Sequence, residues 1–164
     1  MIKQISRALP VAVALIALAC PALAGELEEK NKAVARIVFE EILGGGKIDQ
    51  YESLYSPDFV GHGVTRDVRR AEDRATTQGW RQAFPDLRVT IDKLIAEGDL
   101  VTVRFIGEGT NTGTANGLPA TGKRLRLVGV SILRIVDGKI MEEWTSFDEL
   151  DFMRQLGLMP SRLK

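Results

Sequence analysis

The chain has 164 residues, which is enough for one domain with its own core. Hydrophobic residues make up 45% of the sequence and charged residues 27%, which is typical of a folded globular protein and not of a disordered one. Lysine plus arginine and aspartate plus glutamate both number 22, so the formal net charge is zero. This balance excludes the basic composition of nucleic-acid-binding domains, and we expect no nucleic-acid partner.

The first 24 residues have the three parts of an export signal. A basic start is followed by an apolar run and then by the small-residue sequence Ala22-Leu23-Ala24, after which the chain becomes charged. We therefore predict a signal peptide over residues 1–24 and a periplasmic or secreted mature protein without stable membrane insertion. A buried or membrane-anchoring helix is the alternative for this segment. Cleavage before Cys20, as in a lipoprotein, is the alternative for its processing.

Cysteine and histidine are scarce, which limits the chemistry available. The one cysteine, Cys20, lies in the predicted signal, and the one histidine is His62. The mature chain is therefore expected to contain no disulfide, no thiol nucleophile and no structural zinc site. Because no glycine-rich phosphate loop precedes a predicted helix, we also expect no nucleotide. The predicted metal and cofactor content is none.

The first half of the remaining chain has helical periodicity. Apolar residues recur at helical spacing from Leu27 to Leu43, and three glycines then end the helix. A short helix is predicted from about Asp49 to Tyr55, followed by an extended piece that ends near His62. A second long helix ends before Pro85, and its apolar side consists of Val68, Ala71, Ala75, Trp80, Ala83 and Phe84.

The second half alternates with the period of two that strands show. Residues 87–110 form two predicted strands about the turn Gly98-Asp99, and residues 122–148 form two more about Asp137-Gly138. The segment "ELDFMRQLG" then predicts a short final helix. Helices followed by a run of antiparallel strands predict an α+β fold, in which helices pack on one face of a sheet.

The Asp137-Gly138 turn predicts which side chains of the last hairpin share a face. A two-residue turn pairs Val136 with Lys139, and regular pairing then places Glu142 opposite Leu133. The predicted face combines large apolar side chains with small ones, as a cavity lining does: Leu125, Leu127, Gly129, Ser131, Leu133, Ile135, Ile140, Glu142, Trp144, Ser146 and Asp148.

Two carboxylates, Glu142 and Asp148, lie on this predicted face. Burial raises the pKa of a carboxyl group toward neutrality, which suits a general acid or base. The structural alternatives are that Asp148 caps the following helix and that Glu142 pairs with Arg104 or Arg124. His62 is a second acid/base candidate, because histidine titrates near neutral pH, but a loop histidine is more often simply exposed to solvent.

Several motifs together resemble the SnoaL-like polyketide cyclases, also called ester cyclases. They are "LYSPDFVGH", "GTNTG", "PATGKR" and "RIVDGKIMEEWTSFDELDFMRQLG". The resemblance covers residues 27–157 and leaves 158–164 as a C-terminal tail. It implies a cone-shaped, curved antiparallel sheet with N-terminal helices closing a pocket, which is the nuclear-transport-factor-two-like or cystatin-like fold. It also implies an aldol-type ring closure that needs no cofactor.

The resemblance implies residue roles as well. It places the family's acid/base aspartate at Asp148, and His62 matches another common family histidine. Asn111 stands where the family usually has the histidine of "GTHTG", and asparagine cannot carry a proton at neutral pH. With Asp148 and His62 as catalytic residues, the predicted substrate-binding residues are Trp80, Phe84, Arg104, Asn111, Leu127 and Trp144.

We therefore expect an exported enzyme of cyclase or isomerase type that acts on a small hydrophobic carbonyl compound. A non-catalytic protein that binds a hydrophobic ligand in the same pocket is the alternative. A third interpretation is an accessory domain whose pocket is packed shut by Trp80, Phe84 and Trp144. The other face of the hairpin is too apolar for an uncovered surface and predicts a homodimer; its apolar members are Val128, Val130, Ile132, Met141 and Phe147.

Overall fold

Helices lie at both ends of the part of the chain that the computed structural model describes, residues 25–160. Helix α1 covers residues 25–36 and continues as a π-helix over Ile37–Leu43. A 3-10 turn at Ile48–Gln50 leads into α2 (Tyr51–Leu54). The longer α3 (Arg70–Ala83) and the final α4 (Glu149–Gln155) complete the helices. The predicted helices are confirmed, but α1 ends in a wider π turn that periodicity did not show.

Six strands form one sheet in the order β2-β1-β6-β5-β4-β3. The strands are β1 (Tyr55–His62), β2 (Asp67–Arg69), β3 (Arg88–Glu97), β4 (Leu100–Thr110), β5 (Arg124–Val136) and β6 (Lys139–Phe147). All neighbours are antiparallel except β1 and β6, which run parallel. The predicted α+β class is therefore confirmed, with a mixed sheet. Strand β2 was not predicted, because three residues are too few to show a period. The second long helix was expected to include Val68, which is wrong, since α3 begins at Arg70 and Val68 lies in β2.

The turn between β5 and β6 has the predicted geometry. Asp137 and Gly138 both have positive φ, 51° and 72°, as a two-residue hairpin turn requires. Val136 pairs with Lys139 and Ile135 pairs with Ile140, so the predicted register is confirmed for the first two pairs.

Beyond Ile140 the predicted register is wrong, because a β-bulge inserts Met141. Arg134 pairs with Glu142 and Leu133 with Glu143, one residue later than regular pairing gives. Since side chains alternate, one inserted residue moves every following side chain to the opposite face. As a result Glu143, Thr145 and Phe147 face the helices, whereas Glu142, Trp144 and Ser146 are on the outer face. The position predicted for Phe147 on the outer face is wrong for the same reason.

Two apolar clusters pack between the helices and the sheet. One joins α1 and its π turn to the middle of the sheet through residues such as Phe39, Phe59 and Phe105. The other surrounds the end of α3 and α4 and contains Phe84 and Phe152. Both clusters contribute to one cavity, so the core positions the site described next.

The described residues 25–160 include no helix that is long and apolar enough to cross a membrane. The predicted signal peptide, residues 1–24, lies outside the described part of the chain. So do residues 161–164 of the predicted C-terminal tail.

Candidate active site

A cavity of about 340 Å³ lies between the helices and the concave side of the sheet. Most of its wall is apolar: Phe39 and Leu43 come from the π turn, Trp80 from α3, and Phe105, Leu127 and Phe147 from the sheet. An apolar hollow with a few polar groups is the usual form of a small-molecule site. The interpretation that the pocket is packed shut is therefore wrong, since Phe84 belongs to the core beside the cavity and Trp144 lies on the outer face.

Glu143 is the carboxylate that the bulge turns into this cavity. It is half-buried, and it pairs with Leu133 on β5 and with Gly61 on β1. Burial and, next, the negative charge of Asp73 raise the pKa of Glu143 to about 7. The hydrogen bond from Thr145 acts in the opposite direction without cancelling this shift. A carboxyl group that titrates near neutrality is suited to proton transfer.

Two hydroxyl groups hold the Glu143 carboxylate in place. Thr145 Oγ1 donates a hydrogen bond to Glu143 Oε1 at 2.6 Å. Thr145 Oγ1 also lies 2.5 Å from Ser131 Oγ, across the ladder between β5 and β6. Because the Thr145 proton goes to Glu143 Oε1, Ser131 must be the donor to Thr145. The chain of donors therefore runs from the fully buried Ser131 to Thr145 to Glu143.

A second carboxylate, Asp73, lines the cavity from α3. Tyr51 Oη donates to Asp73 Oδ2 at 2.6 Å, which links α2 to α3. Burial raises the pKa of Asp73, and the hydrogen bond from Tyr51 partly opposes that effect. The ring of Tyr55, which also lines the cavity, stacks on the ring of Tyr51 with centroids 3.9 Å apart. Burial holds the pKa of both tyrosines above the usual range, so both remain neutral donors.

His62 lines the edge of the cavity but is engaged on the outer side of the sheet. Its Nε2 lies 2.7 Å from Glu142 Oε2, and its Nδ1 lies 3.2 Å from Asp67 Oδ1. The hydrogen bond to Glu142 is the main cause that raises the pKa of His62, and the same bond lowers the pKa of Glu142. Arg134 also pairs with Glu142, with Nε–Oε1 at 2.6 Å. Both ring nitrogens of His62 thus have carboxylate partners.

Asp148 is placed by the structure at the N-cap of α4, away from the cavity lining. Its Oδ1 accepts a hydrogen bond from the backbone N–H of Asp151 at 2.8 Å, and its side chain is exposed. Regular pairing had put Asp148 opposite Leu127, but the bulge shifts the ladder and β6 ends at Phe147. The placement favours the cap interpretation.

The predicted substrate-binding residues separate into two groups. Trp80 and Leu127 line the cavity, whereas the other four do not, and substrate binding by Trp80 and Leu127 stays a prediction. Phe84 is a core residue, and Trp144 stacks on His62 on the outer face with ring centroids 4.5 Å apart. Arg104 pairs with Asp92 near the bulge in β3.

Asn111, also predicted to bind substrate, is fully buried and stabilises a loop. Its Nδ2 donates to the backbone oxygens of Ala83 and Gly113 at 3.2 and 3.1 Å. Its Oδ1 accepts from the backbone N–H and the hydroxyl of Thr121 at 2.9 and 2.8 Å. The amide therefore ties the loop after β4 to the end of α3, a structural task that leaves no polar atom for a substrate.

The residues that the sequence did not single out for the site are Asp73, Tyr51, Tyr55, Glu143 and Thr145. A signal for Asp73 exists, since it lies three, four and seven residues before Thr76, Thr77 and Trp80, and such spacing puts residues on one helix face. No local signal marks Glu143, because its face depends on the bulge. Within residues 25–160, no group of three or more His, Cys, Asp or Glu side chains is arranged to hold a metal ion.

The mixed sheet, the helices packed on one side and the apolar cavity between them define the nuclear-transport-factor-two-like class of pocket proteins. Residues 33–156 match the sequence model of the SnoaL-like polyketide cyclase family. The chain belongs to that family.

Relatives with assigned activities are ester cyclases. Aklanonic acid methyl ester cyclase DauD of Streptomyces sp. strain C5 is 28% identical over 131 residues, which is 78% of this chain and 72% of the relative. Nogalonic acid methyl ester cyclase of Streptomyces nogalater is 27% identical over 118 residues, 68% of this chain and 87% of the relative. Among solved structures, a protein from Jannaschia sp. CCS1 assigned as a SnoaL-like polyketide cyclase has a TM-score of 0.74 at 24% identity, covering 82% of this chain and 96% of that one.

Proposed function

We propose that this protein closes a ring in a small hydrophobic carbonyl compound by acid/base chemistry without a cofactor, with Glu143 as a proton-transfer group. The single observation that carries the proposal is the position of Glu143. It is a carboxyl group on the wall of an apolar cavity, with a pKa raised to about 7. Such a group exchanges a proton readily at neutral pH, whereas an ordinary surface glutamate stays ionised.

The reaction class is supported by family membership and by the shape of the site. The relatives named above act on the methyl esters of aklanonic and nogalonic acid. In an aldol-type closure a proton leaves a carbon next to a carbonyl group, the enolate carbon bonds to a second carbonyl carbon, and the new alkoxide takes up a proton. Phe39, Trp80, Phe105 and Phe147 offer flat apolar surfaces on which an aromatic substrate can lie.

The test uses purified protein and aklanonic acid methyl ester as a first substrate, followed by chromatographic separation of open and closed-ring products. We expect conversion by the wild type and loss of conversion in Glu143→Gln. The matched control is Glu142→Gln, which makes the same chemical change one residue away on the outer face. Full activity in Glu143→Gln would contradict the proposal.

The alternative, a non-catalytic binding protein, is supported by the apolar cavity wall alone. It predicts that the compound binds with the same affinity to the wild type and Glu143→Gln and is recovered unchanged from both. The same samples, examined by isothermal titration calorimetry and by product analysis, therefore distinguish the two functions.

We also propose that the protein is exported, on the basis of the basic start, apolar run and small-residue site in residues 1–24. Mass spectrometry of the protein expressed in a bacterial host tests this. We expect a mature form that begins at Gly25 and is recovered outside the cytoplasm. A form that begins at Met1 would contradict export, and a lipid-modified form that begins at Cys20 would support the lipoprotein alternative.

A further inference from the structure

Two carboxyl groups face the same cavity, one from a helix and one from the sheet, and no cation of residues 25–160 pairs with either. Asp73 comes from α3 and Glu143 from β6, and both line the hollow. Among residues 25–160, no lysine, arginine or histidine nitrogen lies within 4.0 Å of their oxygens, the limit for an ion pair. Their partners are neutral hydroxyl groups, Tyr51 for Asp73 and Thr145 for Glu143. Two such carboxyl groups cannot both ionise without cost, so the ionisation of one disfavours the ionisation of the other.

We propose that Asp73 and Glu143 form an opposed acid–base pair, in which Asp73 removes the proton from carbon and Glu143 delivers a proton to oxygen. This inference rests on the function proposed above and assigns a second catalytic residue to it. Asp73 is assigned as the ionised member because the phenol of Tyr51 is a stronger hydrogen-bond donor than the aliphatic hydroxyl of Thr145, and such a bond favours the charged form of its acceptor. Glu143 is the neutral member, and its Oε1 is held by Thr145, so its acidic proton is carried by Oε2.

The surroundings of the pair agree with this division of roles. The titratable or charged groups around it are Tyr51 from α2, Tyr55 and His62 from β1, and Arg70 and Glu72 from α3; the charge of Glu72 adds to the raised pKa of Asp73. The guanidinium of Arg70 bonds to the backbone oxygen of Tyr55 at 3.4 Å, and both ring nitrogens of His62 are taken by Asp67 and Glu142. The π turn, β3 and β4 contribute only apolar lining there: Phe39, Leu43, Val89 and Phe105. Glu143 thus has the negative charge of Asp73 near it, and no cation in the described part of the chain compensates for that charge, which favours the neutral form of Glu143.

The step balances without an oxidant or a metal. The Asp73 carboxylate takes a proton from the carbon next to a carbonyl group, and the C–H electron pair forms the enolate. The enolate carbon bonds to the second carbonyl carbon, whose π electrons move to its oxygen. That oxygen takes the proton from Glu143 Oε2. One proton then returns from Asp73 to Glu143, directly or through water, and the product is an isomer of the substrate.

The first experiment needs no substrate. NMR of protein with ¹³C-labelled side-chain carboxyl groups follows Asp73 and Glu143 separately as pH is raised. We expect Asp73 to ionise first and Glu143 to ionise at about pH 7. In Asp73→Asn, whose amide oxygen can still accept from Tyr51, the titration of Glu143 should move to lower pH. The control Glu72→Gln removes the charge of the preceding residue, which is exposed and pairs with Arg66. That charge acts on the pKa of Asp73 and not on that of Glu143, so the titration of Glu143 should stay unchanged.

The second experiment separates the two roles with aklanonic acid methyl ester in deuterated water. Exchange of the substrate C–H hydrogen for deuterium measures proton removal by the base. Ring closure requires both the base and the acid. We expect Asp73→Asn to lose both, and Glu143→Gln to keep exchange but lose closure by about a hundredfold or more. The pair would be overturned by substrate exchange at the wild-type rate in Asp73→Asn. It would also be overturned if the pKa of Glu143 were the same in Asp73→Asn and in the wild type. Full ring closure in Glu143→Gln would instead overturn the proposed function.

Discussion

Ser131 and Thr145 are directly paired across β5 and β6, and their hydroxyl oxygens are 2.5 Å apart. This pair holds the carboxyl group of Glu143 in place through the 2.6 Å hydrogen bond from Thr145 Oγ1 to Glu143 Oε1. A charged group beside an apolar cavity is costly unless it is hydrogen-bonded. The two hydroxyl groups therefore make an ionisable side chain tolerable at this position and fix its orientation.

Removal of the Thr145 hydroxyl should shift the pH dependence of the reaction. Thr145→Val takes away a hydrogen bond that favours the charged form of Glu143, so the pKa of Glu143 rises further above its ordinary value. If Glu143 acts as the acid, the fall in kcat/KM at high pH moves to higher pH. Thr145→Ser keeps the hydroxyl group and should keep the wild-type profile. Identical pH profiles for Thr145→Val and the wild type would contradict this prediction.

Glu143→Gln should change the pH dependence of stability in a defined direction. The pKa of Glu143 rises from 4.5 to about 7 on folding, so its neutral form contributes stability below about pH 4.5. That contribution is lost as pH rises through about 7, because ionisation is then penalised by burial. The Tm of Glu143→Gln relative to wild type should therefore increase between about pH 5 and about pH 8. Calorimetric melting across this range checks it. Glu41→Gln is the control that should not show this rise, because the hydrogen bond from Lys47 lowers the pKa of Glu41 and keeps its ionisation below this range.

Asp148 offers a direct comparison between a cap and a catalytic group. Asn caps a helix about as well as Asp, so Asp148→Asn should leave the Tm nearly unchanged, whereas Asp148→Ala should lose about 1 kcal/mol of stability. Because Asp148 bonds to the backbone of α4 and does not line the cavity, we expect both variants to keep wild-type turnover. Loss of turnover in Asp148→Asn with an intact fold would contradict this prediction and support the acid/base role that the family resemblance implies for Asp148.

The outer face of the sheet supports a homodimer, which remains a proposal. Val130, Ile132 and Trp144 lie on it and are 39%, 38% and 38% exposed, and large apolar side chains grouped on one exposed face commonly mark an interface. Light scattering at micromolar concentration should show a dimer for the wild type and a monomer for Ile132→Glu. Val64→Glu places the same charge on a fully exposed loop residue and should remain dimeric. A monomeric wild type would contradict the proposal.

Local features of the sequence were sufficient for the fold class and for most elements. Helical spacing from Leu27 to Leu43, alternation in the second half and the Asp137-Gly138 turn all depend on residues close together in the chain. The motifs that resemble the SnoaL-like cyclases also lie in continuous segments, and the family they indicated is confirmed. Trp80 and Leu127, which were predicted to bind substrate, line the cavity, and the pattern of their own elements carries the information about which side faces inward.

The choice of carboxylate depended on contacts that no local pattern contains. The bulge at Met141 puts Glu142 on the outer face, where it pairs with Arg134 from β5 and with His62 from β1, and it turns Glu143 into the cavity. One inserted residue reverses every later side chain, so counting by two from the turn gave the wrong face for the rest of β6. Asp73 likewise joins the site through a hydrogen bond from Tyr51, 22 residues earlier in the chain. The family and the fold follow from periodicity and motif, whereas the reactive groups are decided by strand register and by packing between distant segments.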